Sequence, residues 1–397
     1  MKTILLFIFM TVSSFVLFGQ TETSRVLDKT DSLISHKKYA TAFKFLQETD
    51  PANSDPDIFL KKEDIALNYF VTSIMHQMFA FRDIGENEDI MDYRGEEGNY
   101  DMFTFPVDSI LLRLIKEYPD NCKLYKGLGD YYYEVHLKYG DQWLIPTEQL
   151  LRLIEKNDLK VHEGGCADDM TYYVLGYIYV SSQKYDNAVS WFKRSLELSE
   201  KNPDAFYNLA YAYMGNGDMD NALKNAGIAM ELYHDSVYKA DAVRMMAQLY
   251  LEKGDEENAA RSFETSLKID PGSYYSLHPL LELYVKTNRP EADDIRRDFF
   301  ALDPGNPTIY NDLAKIYFKY DKAEELTGFF EDELKNYRDN DSITGNLNFF
   351  LGRIYLGIDK SEAKNYLLQA REHFSKVYDK DHQVFRAIEQ GLEQLEK

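Results

Sequence analysis

The sequence predicts an all-α chain, an α-solenoid in which antiparallel helix hairpins stack into a right-handed superhelix. Three observations carry that reading. Tyrosines recur at Tyr132, Tyr179, Tyr213, Tyr250, Tyr284, Tyr317 and Tyr355, and the last six are 34, 37, 34, 33 and 38 residues apart. A period of that size marks stacked units, not one irregular core. Alanines follow in a second register, Ala188, Ala222, Ala259, Ala292, Ala323 and Ala363, six to nine residues after those tyrosines. Between them, apolar residues recur at helical spacing in two runs broken by a turn. One hairpin cannot bury its own aromatic face, so neighbours must stack.

Taken from the N-terminus, residues 1–19 read as a secretory signal peptide. Lys2 precedes an apolar run from Ile4 to Phe18, and Gly19 offers the small residue for cleavage. An uncleaved anchor is the other reading, but the run of about 15 residues falls short of the roughly 20 a membrane span needs. The mature chain is therefore expected to be exported, periplasmic or secreted, with no membrane insertion. Residues 20–104 read as an N-terminal helical region: Ser24–Ser35 and Tyr39–Gln47 form a hairpin, and Asp57–Phe81 reads as one long amphipathic helix. Gly85–Thr104 is acidic, contains glycine and lacks a period, and reads as an inserted loop. Pro106–Tyr118 is helical again.

Residues 105–170 are expected to hold a divergent repeat. Leu128-Gly129 with Tyr132 marks its first helix, Lys123–Lys138. Thr147–Lys156 is its second helix, and the wide step to Tyr179 implies an insertion near Asn157–Ala167. Residues 171–272 repeat most regularly. Tyr172, Leu175, Gly176 and Tyr179 share one face, followed by Ala188, Phe192 and Leu196. Phe206, Leu209, Ala210 and Tyr213 repeat the first run, then the turn Gly217-Asp218 and Ala222, Ala226 and Ala229. Val243, Met246, Ala247 and Tyr250 start again, followed by Gly254-Asp255, Ala259 and Phe263. A small residue on each helix lets the pair approach closely, and large rings fill the space to the next pair. Residues 273–375 carry the same pattern with departures: Leu281 stands at the small position, and the turns before Ala292 and Ala323 are shorter. Residues 376–397 end in an amphipathic helix, Gln383–Lys397, suited to capping the stack.

These positions resemble the tetratricopeptide repeat family, whose pattern is a large residue, Leu-Gly/Ala, an aromatic, an Ala, an aromatic, an Ala and often a Pro. The resemblance implies that first helices line a concave groove that binds a protein or peptide. Carried onto this sequence, the groove takes Tyr173, Tyr177, Tyr207, Asn208, Tyr211 and Met214 from the best-matched units. Later units add Arg244, Lys286, Lys315, Lys319 and Arg353. The family's clamp for a peptide carboxylate needs Lys and Asn where tyrosines stand here, so only Asn208 survives of it. The tyrosine stripe has two open readings: an interface with a partner, or rings packed on one another and on the Gly85–Thr104 insertion.

Composition excludes several function classes. With 45 Lys and Arg against 67 Asp and Glu the formal charge is −22, which repels nucleic acid and anionic membranes. The eight histidines make no zinc-protease pair, and there is no phosphate loop, nucleophile elbow or calcium loop. No catalytic, cofactor or metal residue is therefore assigned; His162-Glu163-Gly164-Gly165-Cys166 is explained equally well by a tight turn. Cys122 and Cys166 fall before successive first helices, and in an oxidising compartment they either pair or stay as two thiols. The functional expectation is a non-catalytic scaffold gripping a protein or peptide of unknown identity. A glycan- or peptidoglycan-binding module using the tyrosine groove is the alternative.

Overall fold

The computed structural model describes residues 22–95, 98 and 100–396; the proposed signal peptide lies outside them. The chain divides into two compact units that meet in sequence after Asn216.

The first unit opens with α1 (residues 22–35) and α2 (Tyr39–Thr49), then α3 (Pro56–Asn68), which Asp55 caps by accepting from the amides of Asp57 and Ile58. Here the sequence reading needs correction. The helix stops at Asn68, and a three-stranded antiparallel sheet follows: β1 (Phe70–Ile74), β2 (Met78–Phe81) and β3 (Met102–Thr104). Phe70 pairs with Phe81, and Phe79 with Phe103. The β1–β2 turn is made by Met75 and His76, both at positive φ (46° and 47°), a conformation that ordinarily advertises itself as Asn or Gly. β-Branched and aromatic residues in Phe70-Val71-Thr72 favour the strand. The acidic insertion is thus partly structured, since its last residues form β3. Phe43, Phe59, Phe79 and Phe105 are fully buried where the sheet meets α2 and α3.

After α4 (Val107–Glu117) the hairpins begin: α5 (Cys122–Tyr139) with α6 (Thr147–Glu163), then α7 (Asp169–Ser181) with α8 (Tyr185–Leu198), then α9 (Pro203–Gly215). A second correction concerns α6, which runs through the expected insertion to Glu163. Leu150, Ile154, Asn157, Asp158 and Val161 are buried along it, so the core-facing period continues, but with two polar residues that hide it in the sequence. The extra length of this repeat lies in long helices and in the Gly140–Pro146 connection. Most turns that close a first helix use the left-handed region, at Gln183 in this unit and at Gly217, Gly254, Asn288 and Asp321 in the second.

The second unit holds α10 (Met219–Leu232), α11 (Ser236–Glu252), α12 (Glu256–Ile269), α13 (Tyr274–Thr287), α14 (Ala292–Ala301), α15 (Pro307–Lys319), α16 (Ala323–Asn336), α17 (Asp341–Tyr355), α18 (Lys360–Phe374) and α19 (Gln383–Leu395). The expected distortion sits at α14, which has 10 residues against 14 in α12 and begins without a side-chain cap. Leu281, at the small position opposite it, is fully buried. The last helix, α19, seats Ile388 on Leu367 and Phe374, covering the end of the stack as a cap must. Among the described residues, strands are confined to the segment before residue 105, and no helix is long and apolar enough to cross a membrane.

Within each hairpin the small positions do what their size allows. A Cβ placed on Gly176 would lie 2.6 Å from the Phe192 ring, and one on Gly345 would lie 2.6 Å from Phe374. The periodic tyrosines make a contact that spacing does not announce. Tyr284 donates its hydroxyl to Glu264 on the preceding helix, Tyr355 donates to Glu331 at 2.9 Å, and Tyr317 accepts from Arg296 at 3.1 Å. Each ring fills the gap between hairpins while its hydroxyl ties it to the hairpin before.

Candidate functional site

The candidate site of the first unit is built on α5, α7 and α9. Residues one helical turn apart share a face, so Tyr173 and Tyr177 stand together on α7, and Tyr207, Asn208, Tyr211 and Met214 on α9. Asn202 caps α9 through the Ala205 amide (3.1 Å) and Pro203 fixes its first turn. Behind this face Ala188, Phe192, Leu209 and Ala212 form the packed interior. The face itself stays half-buried, and Tyr211 is 40% exposed.

The two α7 rings are held, and their hydroxyls have partners. Asn208 Nδ2 donates to the Tyr173 hydroxyl at 3.0 Å and to the Asp204 carbonyl at 2.9 Å. Tyr173 leans on Phe192 (centroids 5.8 Å). Burial, reinforced by Asp204 and Tyr177, pushes its phenol up to about 12. Tyr177 meets Tyr133 edge to face at 5.9 Å and shares a hydrogen bond with His136 Nε2 at 3.3 Å. The face therefore continues onto α5. The Gly85–Thr104 segment ends in β3, where Phe103 packs on Phe43 and Phe81.

Sequence reasoning missed the α5 part of the face. The signal was available: the offsets that pick Tyr207, Tyr211 and Met214 around Ala210 pick Lys126, Asp130 and Tyr133 around Gly129. These three line a cleft of about 460 Å³ between α3 and α5, together with Leu60, Glu63 and Met170. Lys126 bridges Asp130 (2.7 Å) and Asp168 (3.3 Å). Glu63 is 4% exposed, and its Oε1 has no hydrogen-bond partner.

In the second unit the basic residues picked from the sequence carry partners of their own. Arg244 pairs with Asp241, Lys286 with Glu256 at 2.6 Å, Lys315 with Asp312 at 3.0 Å and Lys319 with Glu282 at 2.6 Å. Arg353 lies over the rings of Phe349 and Phe350. These pairs leave little unbalanced positive charge there, and exposed pairs of this type are worth about 0–1 kcal/mol each.

Cys122, at the start of α5, and Cys166, in the turn before α7, form a disulfide with Cα atoms 6.0 Å apart. Gly165 makes that turn at φ 74°. His162 is occupied too: its ring packs on Trp191 (5.3 Å) and its Nδ1 meets the Tyr172 hydroxyl (3.1 Å). No group of three or more His, Cys, Asp or Glu is placed to hold a metal among the described residues.

Comparison with known proteins bears on the same region. Residues 176–217 match the family model described as TPR repeat, and residues 207–274 match that described as tetratricopeptide repeat. Residues 176–274 are thus similar to tetratricopeptide repeats. The TPR repeat-containing protein YpiA of Bacillus subtilis (strain 168) is 21% identical over 308 residues, 77% of this chain and 69% of YpiA. A photosystem I assembly protein Ycf3 of Prochlorococcus marinus is 25% identical over 99 residues, 25% of this chain and 57% of Ycf3. A crystal structure of a tetratricopeptide repeat protein from Parabacteroides merdae ATCC 43184 is 20% identical, with a TM-score of 0.40, over 69% of this chain and 99% of that one.

Proposed function

We propose that this chain is an exported, non-catalytic tetratricopeptide repeat scaffold that binds a protein or peptide partner on its first-helix face. The observation that carries the reading is the stripe of Tyr173, Tyr177, Tyr207 and Tyr211, half-buried to exposed along the first helices, with only Tyr173 leaning on the Phe192 ring of the interior behind it. Rings held in place lose little entropy on binding and offer both apolar area and a hydroxyl, which is why tyrosine concentrates at interfaces. Export is supported by the apolar N-terminus in the sequence and by the disulfide, a bond favoured in oxidising compartments.

The test is selection of heptapeptides from a random display library on the parent protein, followed by titration of the selected peptides. Changing Tyr177, Tyr207 and Tyr211 together to Ser is expected to weaken them by several kcal/mol, at roughly 1–2 kcal/mol per anchor, with helicity unchanged by circular dichroism. Tyr173 is left in place because it packs on Phe192. Peptides that bind the variant as they bind the parent would place the interface elsewhere. A library that yields nothing, beside oligosaccharides that raise the melting temperature, would favour a glycan ligand.

A further inference from the structure

We propose that the cleft between α3 and α5 seats a cationic side chain, a lysine or an arginine, of the partner polypeptide, with Glu63 as its counter-ion. The inference rests on the peptide-binding reading and adds to it a specificity pocket. Glu63 lies almost wholly inside the protein yet lines the cleft, and its Oε1 has no hydrogen-bond partner. Buried polar atoms without partners are rare in native proteins and ask for a reason. The other charged groups at the cleft have partners within the chain. Lys126 holds Asp130 and Asp168, Asp64 faces Lys61 at 3.7 Å, Lys123 faces Asp57 at 3.6 Å, and Glu134 faces His76 at 3.9 Å. Glu63 is the member left to be answered from outside.

The shape fits a long basic side chain. Leu60, Leu67, Tyr133 and Met170 give apolar walls for a methylene stem, and Met170, 41% exposed, stands at the mouth. The floor carries the carboxylate, where a cation gains a charge-assisted hydrogen bond. Gly127 makes the approach possible: a Cβ there would overlap Glu63 Oε2. Burial, with Asp130 nearby, holds the Glu63 carboxyl well above the usual carboxylate range. An arriving cation would restore the compensation that burial removed. Tyr133 is both a wall of the cleft and the edge partner of Tyr177, so a chain lying on the tyrosine face can drop one side chain into it.

The direct test follows the carboxyl resonance of Glu63 in protein labelled with ¹³C at glutamate, assigned by its loss in Glu63→Gln. Should that variant not fold, proximity to the Gly127 amide in the parent assigns it. Butylammonium and butylguanidinium are expected to move the resonance saturably, in about the millimolar range for ligands of so few atoms, and butanol is not. No movement with either cation overturns the proposal, even if the tyrosine face binds peptides. For the selected heptapeptides, replacing Lys or Arg by norleucine is expected to weaken binding about tenfold or more; selected peptides without Lys or Arg overturn it equally. The Tyr177, Tyr207 and Tyr211 variant should lose the peptides and keep the butylammonium response. Putrescine binding as tightly as the lysine peptide would remove the polypeptide from the assignment.

Discussion

Asp158 shows how one side chain can set the chemistry of a hairpin. It is 3% exposed and pressed against α5, where a Cβ on Gly129 would overlap its Oδ1. Burial, with Asp130 adding to it, pushes its carboxyl up to about 8. Because the folded value lies above the unfolded one, near 4, the protonated form stabilises the fold, and that stability is lost as pH rises through 8. The melting temperature is expected to fall between pH 5 and pH 8, and Asp158→Asn should flatten the fall. Equal slopes in parent and variant would contradict the assignment. Lys62 works in the opposite direction and above that window, since burial lowers it to about 8; Glu63, which burial also raises, adds to the fall in parent and variant alike, so the difference between their slopes reports Asp158. Gly176 fixes the approach of α7 to α8 in the same residue-by-residue way. Gly176→Ala would force the new methyl into the buried ring of Phe192, at an overpacking cost of about 1–3 kcal/mol read by denaturant unfolding. A variant as stable as the parent would mean the ring has room to move.

Between elements, hydroxyls and sulfurs do the joining. Tyr284→Phe keeps the ring in the stack and deletes its bond to Glu264. The expected loss is about 1 kcal/mol, whereas Tyr284→Ala adds a cavity and should cost several times more; equal losses would show that the hydroxyl is idle. Reduction of Cys122–Cys166 opens a loop of about 45 residues and is expected to lower stability by up to roughly 4 kcal/mol. Free thiols in the oxidised protein would rule the bridge out. How far the elements were legible follows from the same physics. The hairpins of residues 171–272 could be read because Gly176, Ala210 and Ala247 must be small and the rings beside them must be large. The sheet could not be read: Phe70–Phe81 has the apolar density of a buried helix, and its turn sits on Met75 and His76, without Gly or Asn. His76 is held there by tertiary bonds, one between its Nδ1 and the Tyr139 hydroxyl at 3.1 Å and one from the Tyr131 hydroxyl to its carbonyl at 3.3 Å. The length of α6 was hidden because Asn157 and Asp158 occupy core positions. For the candidate site, the family resemblance implied the tyrosines of α7 and α9, but not the acid facing Gly127 from α3, which is distant in sequence.

At the scale of the whole molecule, charge bears on which partner the proposed face would meet. The chain carries a formal −22, and Arg244, Lys286, Lys315 and Lys319, the basic residues added to the groove from the later repeats, are paired locally with Asp241, Glu256, Asp312 and Glu282. Short-range pairs cancel at a distance, so what a diffusing partner meets beyond a few ångström is the acidic excess. That excess attracts a basic peptide and is indifferent to a neutral one. Screening shortens the reach of the field from about 30 Å at 0.01 M salt to about 3 Å at 1 M. The association rate of a lysine-bearing heptapeptide, measured by stopped-flow fluorescence, is therefore expected to fall about tenfold or more over that range. Its norleucine counterpart should change little, and the dissociation rates, set by contacts inside the cleft and on the rings, should respond less than the association rates. Two peptides with the same salt dependence would mean that the aromatic face alone recognises the partner and that the acidic surface serves solubility.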